Sequence, residues 1–231
     1  DGENLFELAP IDTTSFPVID DLEKLLSKRA RPKQVLVSNV AGPTVAEGFV
    51  RAALKRWRVK PEFVCPRREC AGVTTRYEEP TQLGVDRWLS ALAAYQLSGS
   101  AVCVLDAGTA LTIDVVRQTG EHLGGLIAPG PGLMRLSLAR QTAQLDVKEG
   151  EELTGFGINS RDAIGLGCDE MVRGLLSSVE RRLIEVAPGE IFRWYLTGGG
   201  ADTIKHLLHV DYDHTADLVL RGLALIANMP R

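Results

Sequence analysis

The segment Leu105-Asp106-Ala107-Gly108-Thr109-Ala110-Leu111-Thr112 constrains this chain more than any other. The apolar run from Ala101 to Leu105 reads as a buried strand, and a second apolar run, Ile113 to Val116, follows the turn. Gly108 lets the backbone turn sharply and leaves room for a ligand to approach it. Backbone N–H groups and the Thr109 hydroxyl can donate to phosphate oxygens. Asp106 adds a carboxylate able to hold a cation beside them. Strand, Asp-x-Gly-Thr, strand describes a phosphate-binding hairpin. It differs from a P-loop, which needs a Lys and a helix directly after its glycines. The same residues also suit an ordinary tight hairpin with Asp-Ala-Gly as its turn.

A chain of 231 residues, 45% of them hydrophobic and 24% charged, can bury a sizeable core as one large domain or two small ones. Its formal charge of −4 and the absence of a basic patch argue against nucleic-acid binding. Apolar runs fall short of the roughly 18 residues a membrane span requires, and no signal peptide is visible, so a cytoplasmic protein is expected. The Cys65-Pro-Arg-Arg-Glu-Cys70 spacing is not a common zinc pattern and no His-x-His partner follows it, while Cys103 lies in an apolar run, as expected of reduced, buried thiols. The opening Asp1-Gly2-Glu3-Asn4 has turn character, as if a hairpin had been entered partway.

Periodicity predicts a helix over residues 20–29, a strand from Val35 to Val40, a helix from Val45 to Trp57 and a short strand from Glu62 to Val64. This β-α-β order argues for an α/β architecture. A helix from Trp88 to Leu97 is apolar nearly all round, which suits burial between layers or at a subunit interface. Strands follow at Ala101–Leu105, Leu111–Val116 and Gly124–Ile127. A helix begins near Gly132, and another is capped by Ser160 with Asp162 in its first turn. Phe192 to Leu196 reads as a strand, and Ala201–Leu208 and Ala216–Asn228 as helices. A boundary near residue 100 would divide a first α/β lobe (1–100) from a second (101–231), with the last helix free to pack back on the first.

Three further loops carry candidate chemistry. In Gly84-Val85-Asp86-Arg87 a carboxylate and a guanidinium sit where a loop enters a helix. Asp86 can accept a proton from a hydroxyl and Arg87 can hold a carboxylate bidentately. A helix-start Asp beside a surface Arg would look the same. Gly124 to Gly132 packs four glycines and two prolines into nine residues, a rigid loop with little side chain. Thr197-Gly198-Gly199-Gly200 joins a strand to a helix, where bare backbone can lie against a flat ring such as adenine and the helix start favours phosphate.

In their order, the Asp-Arg loop, the Asp-x-Gly-Thr hairpin, the Gly-Gly-x-Ile-x-Pro-Gly loop and the Gly-Gly-Gly loop resemble the type III pantothenate kinases, the family that includes the Bvg accessory factors. The resemblance runs from about Tyr77 to Met229. It implies the actin and sugar-kinase superfamily fold, two ribonuclease-H-like lobes with an ATP cleft between them, and a homodimer. The Trp88–Leu97 helix is a candidate for part of that interface. It further implies ATP-dependent phosphorylation of pantothenate to 4'-phosphopantothenate, with Mg²⁺ on the phosphates and a monovalent cation, K⁺ or NH₄⁺, in place of a Walker lysine. By the same resemblance Asp86 is the catalytic base. Gly84, Val85, Asp86, Arg87, Tyr77 and Ser160 line the pantothenate pocket, Ser160 replacing a Thr. Gly108, Thr109, Gly198 and Gly199 meet ATP, and Asp106 binds the monovalent cation. Family members open with a strand and an Asp-x-Gly-Asn-Thr phosphate loop that this sequence lacks, so that segment is expected upstream of Asp1. A non-catalytic, ATP-binding regulator on the same fold is the alternative.

Overall fold

The computed structural model describes residues 30–141 and 155–230; the helix expected over 20–29 lies outside them. Two sheets are present among the described residues. Strands β1 (Leu36–Val37) and β2 (Glu62–Phe63) form a parallel pair joined by helix α1 (Pro43–Trp57). The helix starts two residues earlier than expected: Gly42 turns the chain at φ 88° and Pro43, with its fixed φ and no N–H to satisfy, occupies the first turn.

The second sheet has seven strands in the order β3-β4-β7-β6-β5-β8-β9. They are β3 (Glu69–Cys70), β4 (Val73–Thr75), β5 (Val102–Ala107), β6 (Ala110–Val116), β7 (Glu121–Pro129), β8 (Arg193–Thr197) and β9 (Tyr212–His214). β5, β6 and β7, which match the strands expected from the apolar runs, form an antiparallel meander, while β8 pairs parallel to β5. The sequence pattern missed β3, β4 and β9. β3 and β4 are a hairpin whose two turn residues, Ala71 and Gly72, both take positive φ. These strands precede residue 100 yet belong to the same sheet as the strands that follow it.

Strand alternation sorts the residues to two faces. Cys103, Leu105, Leu111, Ile113, Trp194 and Leu196 pack on one side against α4 (Ser160–Val186) through Val172, Leu176, Val179 and Leu183. Val102, Val104, Val116 and Tyr195 face α2 (Val85–Ser98) and α6 (Leu218–Ala227) on the other, through Trp88, Ala91, Leu92 and Leu218. By this period Asp106 on β5 and Asp114 on β6 share the α2 face.

α2 bears out one of the two expectations for it: its apolar surface is buried between layers, against the sheet and α6. The two helices approach so closely that a Cβ on Gly222 would stand 2.4 Å from the Leu89 carbonyl oxygen. α3 (Pro131–Gln141) buries Arg135, which donates to Asp169 of α4, while its Leu133, Leu136 and Leu138 are exposed. The α4 cap is Asn159 rather than Ser160. The Asn159 side chain accepts from the Asp162 backbone N–H, and Ser160 is already helical. After β8, the expected Ala201–Leu208 helix is a single α-turn, α5 (Ala201–Ile204), continued as a 3-10 turn over Lys205–Leu207. No helix among the described residues is long and apolar enough to cross a membrane.

Candidate active site

The site gathers at the ends of β5 and β6 and the start of α2. The hairpin forms as read: Asp106 pairs with Thr112 and Ala107 with Leu111, and Gly108 and Thr109 stand exposed at the tip. Two glycine loops seat directly on this hairpin. Gly130 donates its N–H to the Thr109 carbonyl, and a Cβ there would stand 2.6 Å from the Gly108 oxygen. Gly200 donates to the Ala107 carbonyl at 2.7 Å. Gly198, at φ 91°, lies so close that a Cβ would meet the Asp106 carboxylate at 2.3 Å. No side chain fits there, and the left-handed backbone independently favours glycine. Gly199 has open space beside it.

Gly84 precedes α2, and Val85 begins it and is buried. Asp86, in the first turn, is half-buried and accepts from the Arg87 backbone N–H at 2.8 Å, a place where the helix dipole favours its charge. Burial pushes the Asp106 carboxyl above the usual range, and the negative charges of Asp86 and Asp114 add to that. Asp86 and Asp106 thus feel one another across the site.

The bidentate grip expected of Arg87 is real but points inward. Its Nε and Nη2 donate to the two oxygens of Asp114 at 2.8 and 2.7 Å, with both side chains buried. Nη1 is left for the Tyr77 hydroxyl, 3.3 Å away. Burial works against the guanidinium charge, yet the Asp114 carboxylate and Tyr77 outweigh it and hold the Arg87 pKa above its ordinary value. Gly125 sits over this pair: a Cβ would fall 2.4 Å from Arg87 Nη2 and 2.7 Å from Asp114 Oδ1. Gly124 to Pro129, expected as part of a rigid loop, thus belong to strand β7, where Gly125 faces Asp114 and makes room for an ion pair.

The sequence reading missed Asp114, His122 and Thr75. The imidazole of His122, wholly buried, lies 3.0 Å from Asp114 Oδ1 and 3.1 Å from Thr75 Oγ1, and stacks on the Tyr77 ring. An Asp inside an apolar strand was the one available signal, since a buried carboxylate needs a partner. Ser160 is not brought in: it is exposed on α4, and no hydrogen bond among the described residues ties it to the cluster. Nor do any three His, Cys, Asp or Glu side chains among the described residues form a group able to hold a metal.

A mixed α/β sheet that brings a glycine-rich hairpin beside an acid at a helix start has the main-chain N–H groups and the carboxylate that suit a phosphate-handling class of site. Comparison narrows it. The sequence model of the type III pantothenate kinases matches residues 7–182. The chain is 37% identical over 199 residues to a type III pantothenate kinase of Nitrosomonas eutropha, covering 86% of this chain and 77% of that one. It is 38% identical over 195 residues to one of Aromatoleum aromaticum, covering 84% and 78%. In structure it is similar to a conserved Baf family protein from Campylobacter jejuni, with a TM-score of 0.56 at 20% identity over 90% of this chain and 87% of the other. The chain belongs to the type III pantothenate kinase family.

Proposed function

We propose that this protein phosphorylates pantothenate at the expense of ATP, giving 4'-phosphopantothenate, the first step of coenzyme A biosynthesis. Family membership supports the substrates. The observation that carries the chemistry is the placement of Asp86: half-buried, at a helix start, electrostatically coupled to the Asp106 end of the hairpin.

In this reading Asp86 orients the primary hydroxyl of pantothenate and takes its proton as the hydroxyl oxygen attacks the γ-phosphorus. Tyr77 packs on the apolar middle of the substrate, and Arg87 offers Nη1 to a polar end while Asp114 keeps its other face occupied. Gly84 and Val85 set the backbone of that wall, and Ser160 would join it only from an α4 placed against the pocket. Gly108 and Thr109 donate to phosphate, and Gly198 and Gly199 lie along the adenosine. Such transfers rest on positioning and charge neutralisation rather than a covalent intermediate.

Two kinds of cation accompany this chemistry. Mg²⁺ belongs with the phosphates. A monovalent cation, K⁺ or NH₄⁺, suits Asp106, because burial first and then the like charges of Asp86 and Asp114 disfavour its ionised form, and a cation beside it would offset both. Bound, it would supply positive charge beside the phosphates. We place the ATP cleft between two lobes and draw their division between Phe63 and Glu69, where one sheet ends and the other begins. A cytoplasmic homodimer completes the proposal. Turnover of ATP that depends on pantothenate tests the reading; ATP binding without turnover would favour the regulator.

A further inference from the structure

Behind Arg87 runs a line of buried polar side chains that the chemical step does not use. A carboxylate only accepts hydrogen bonds, so His122 Nε2, 3.0 Å from Asp114 Oδ1, carries a proton and donates it. Thr75 Oγ1 accepts from the Tyr77 backbone N–H at 3.2 Å, which leaves its own hydroxyl proton for His122 Nδ1 at 3.1 Å. Protons therefore point one way, from Thr75 to His122 to Asp114, where Arg87 donates from the opposite side. Hydrogen bonding thus assigns the tautomer of a ring that has no solvent contact.

Both ends of this line arrive at one residue. Thr75 holds the Tyr77 backbone, and Arg87 Nη1 faces the Tyr77 hydroxyl at 3.3 Å. Between them the His122 ring lies under the Tyr77 ring, centroids 6.1 Å apart and planes inclined by 20°. Trp88 closes the far side of His122 edge-on. A buried charge network of this kind is poor value as a stabiliser, since apolar side chains of similar volume commonly do as well. It does over-determine a geometry: the tilt of Tyr77 and the rotamer of Arg87.

We propose that His122, with Thr75 and Asp114, is a positioning device for the acceptor pocket, setting the affinity for pantothenate through Tyr77 and Arg87 without touching the substrate. The inference rests on the kinase reading and on the assignment of Tyr77 and Arg87 to pantothenate.

The test is steady-state kinetics of the full chain and of Thr75→Val, which removes the hydroxyl at nearly constant shape, and Thr75→Ser, which keeps it. Thr75→Val is expected to raise the pantothenate KM about tenfold or more. It should leave the ATP KM within about twofold, because the nucleotide loops share none of these partners. Thr75→Ser should restore the pantothenate KM. An unchanged pantothenate KM in Thr75→Val, or equal rises for both substrates, overturns the proposal. Should Thr75→Val fail to fold, the unsubstituted protein decides: long-range ¹H–¹⁵N correlation must place the His122 proton on Nε2, and a proton on Nδ1 alone overturns the relay. Absence of pantothenate-dependent turnover in the unsubstituted chain, by contrast, contradicts the kinase reading itself.

Discussion

The two halves of the site are built from different materials. The proposed acceptor side is made of side chains that hold one another: Arg87, Asp114, His122 and Thr75, all buried, and the half-buried Tyr77 form a network in which each polar group has a partner. The proposed nucleotide side is made of backbone. Gly130, Gly198 and Gly200 lie against the β5–β6 hairpin with no room for a Cβ, and Gly108 and Thr109 project into the open. Recognition of a particular small acid calls for fixed side chains, whereas phosphates are well served by main-chain N–H groups. The difference implies that the two sides respond oppositely to mutation: the first to losing atoms, the second to gaining them.

The largest effect is expected where the two sides meet. Asp86→Asn keeps the shape but removes the base, and kcat should fall by about 10²–10⁴-fold with ATP binding retained, measured by turnover and by nucleotide titration. Near-full activity would remove Asp86 from the mechanism. Next, Asp114→Ala leaves the buried Arg87 guanidinium without its counter-ion and should destabilise the fold by about 3–5 kcal/mol in denaturant unfolding. On the other side, Gly198→Ala forces a Cβ into the Asp106 carboxylate at an unfavourable φ. A loss of about 1–3 kcal/mol of stability is expected, measured by denaturant unfolding. If Asp114→Ala proved harmless and Gly198→Ala did not, the contrast between side-chain and backbone construction would be wrong.

Smaller substitutions sharpen the contrast. Thr109→Ala should weaken ATP more than pantothenate, read as a KM split, because the hydroxyl is exposed on the nucleotide side alone; equal weakening would refute its role with phosphate. Smallest is Arg68→Ala. Arg68 donates to the carbonyls of Thr75, Tyr77 and Glu78 and so fastens the loop carrying Tyr77 from outside. Its loss should raise the pantothenate KM by a few-fold, consistent with about 1 kcal/mol for partly exposed hydrogen bonds, and leave the ATP KM alone.

This division also explains what the sequence disclosed. The hairpin and the glycine-rich turns were legible because their signals are local: short apolar runs bounded by turn residues mark the strands, and glycine marks where backbones touch. The acceptor network was not, because it is assembled across distance. Arg87 and Asp114 are 27 residues apart, and Thr75 and His122 are 47 apart, on elements that meet only through the sheet order. β3 and β4 were hidden by their brevity. The bidentate reach of Arg87 was foreseen and its direction was not, since only the fold shows that strand alternation puts Asp114 beneath it. Asn159 took the cap from Ser160 because either side chain can accept from an N–H, and one residue of phase decides between them. The α2 helix was ambiguous by composition: an apolar surface reads alike whether the neighbour is the chain itself or another copy.

The most direct test of the account is ADP release from ATP by the full chain, with pantothenate added or withheld, in K⁺. The account predicts release that requires pantothenate and yields one phosphorylated pantothenate per ADP. Release indifferent to pantothenate, or ATP bound with no release in its presence, would contradict it.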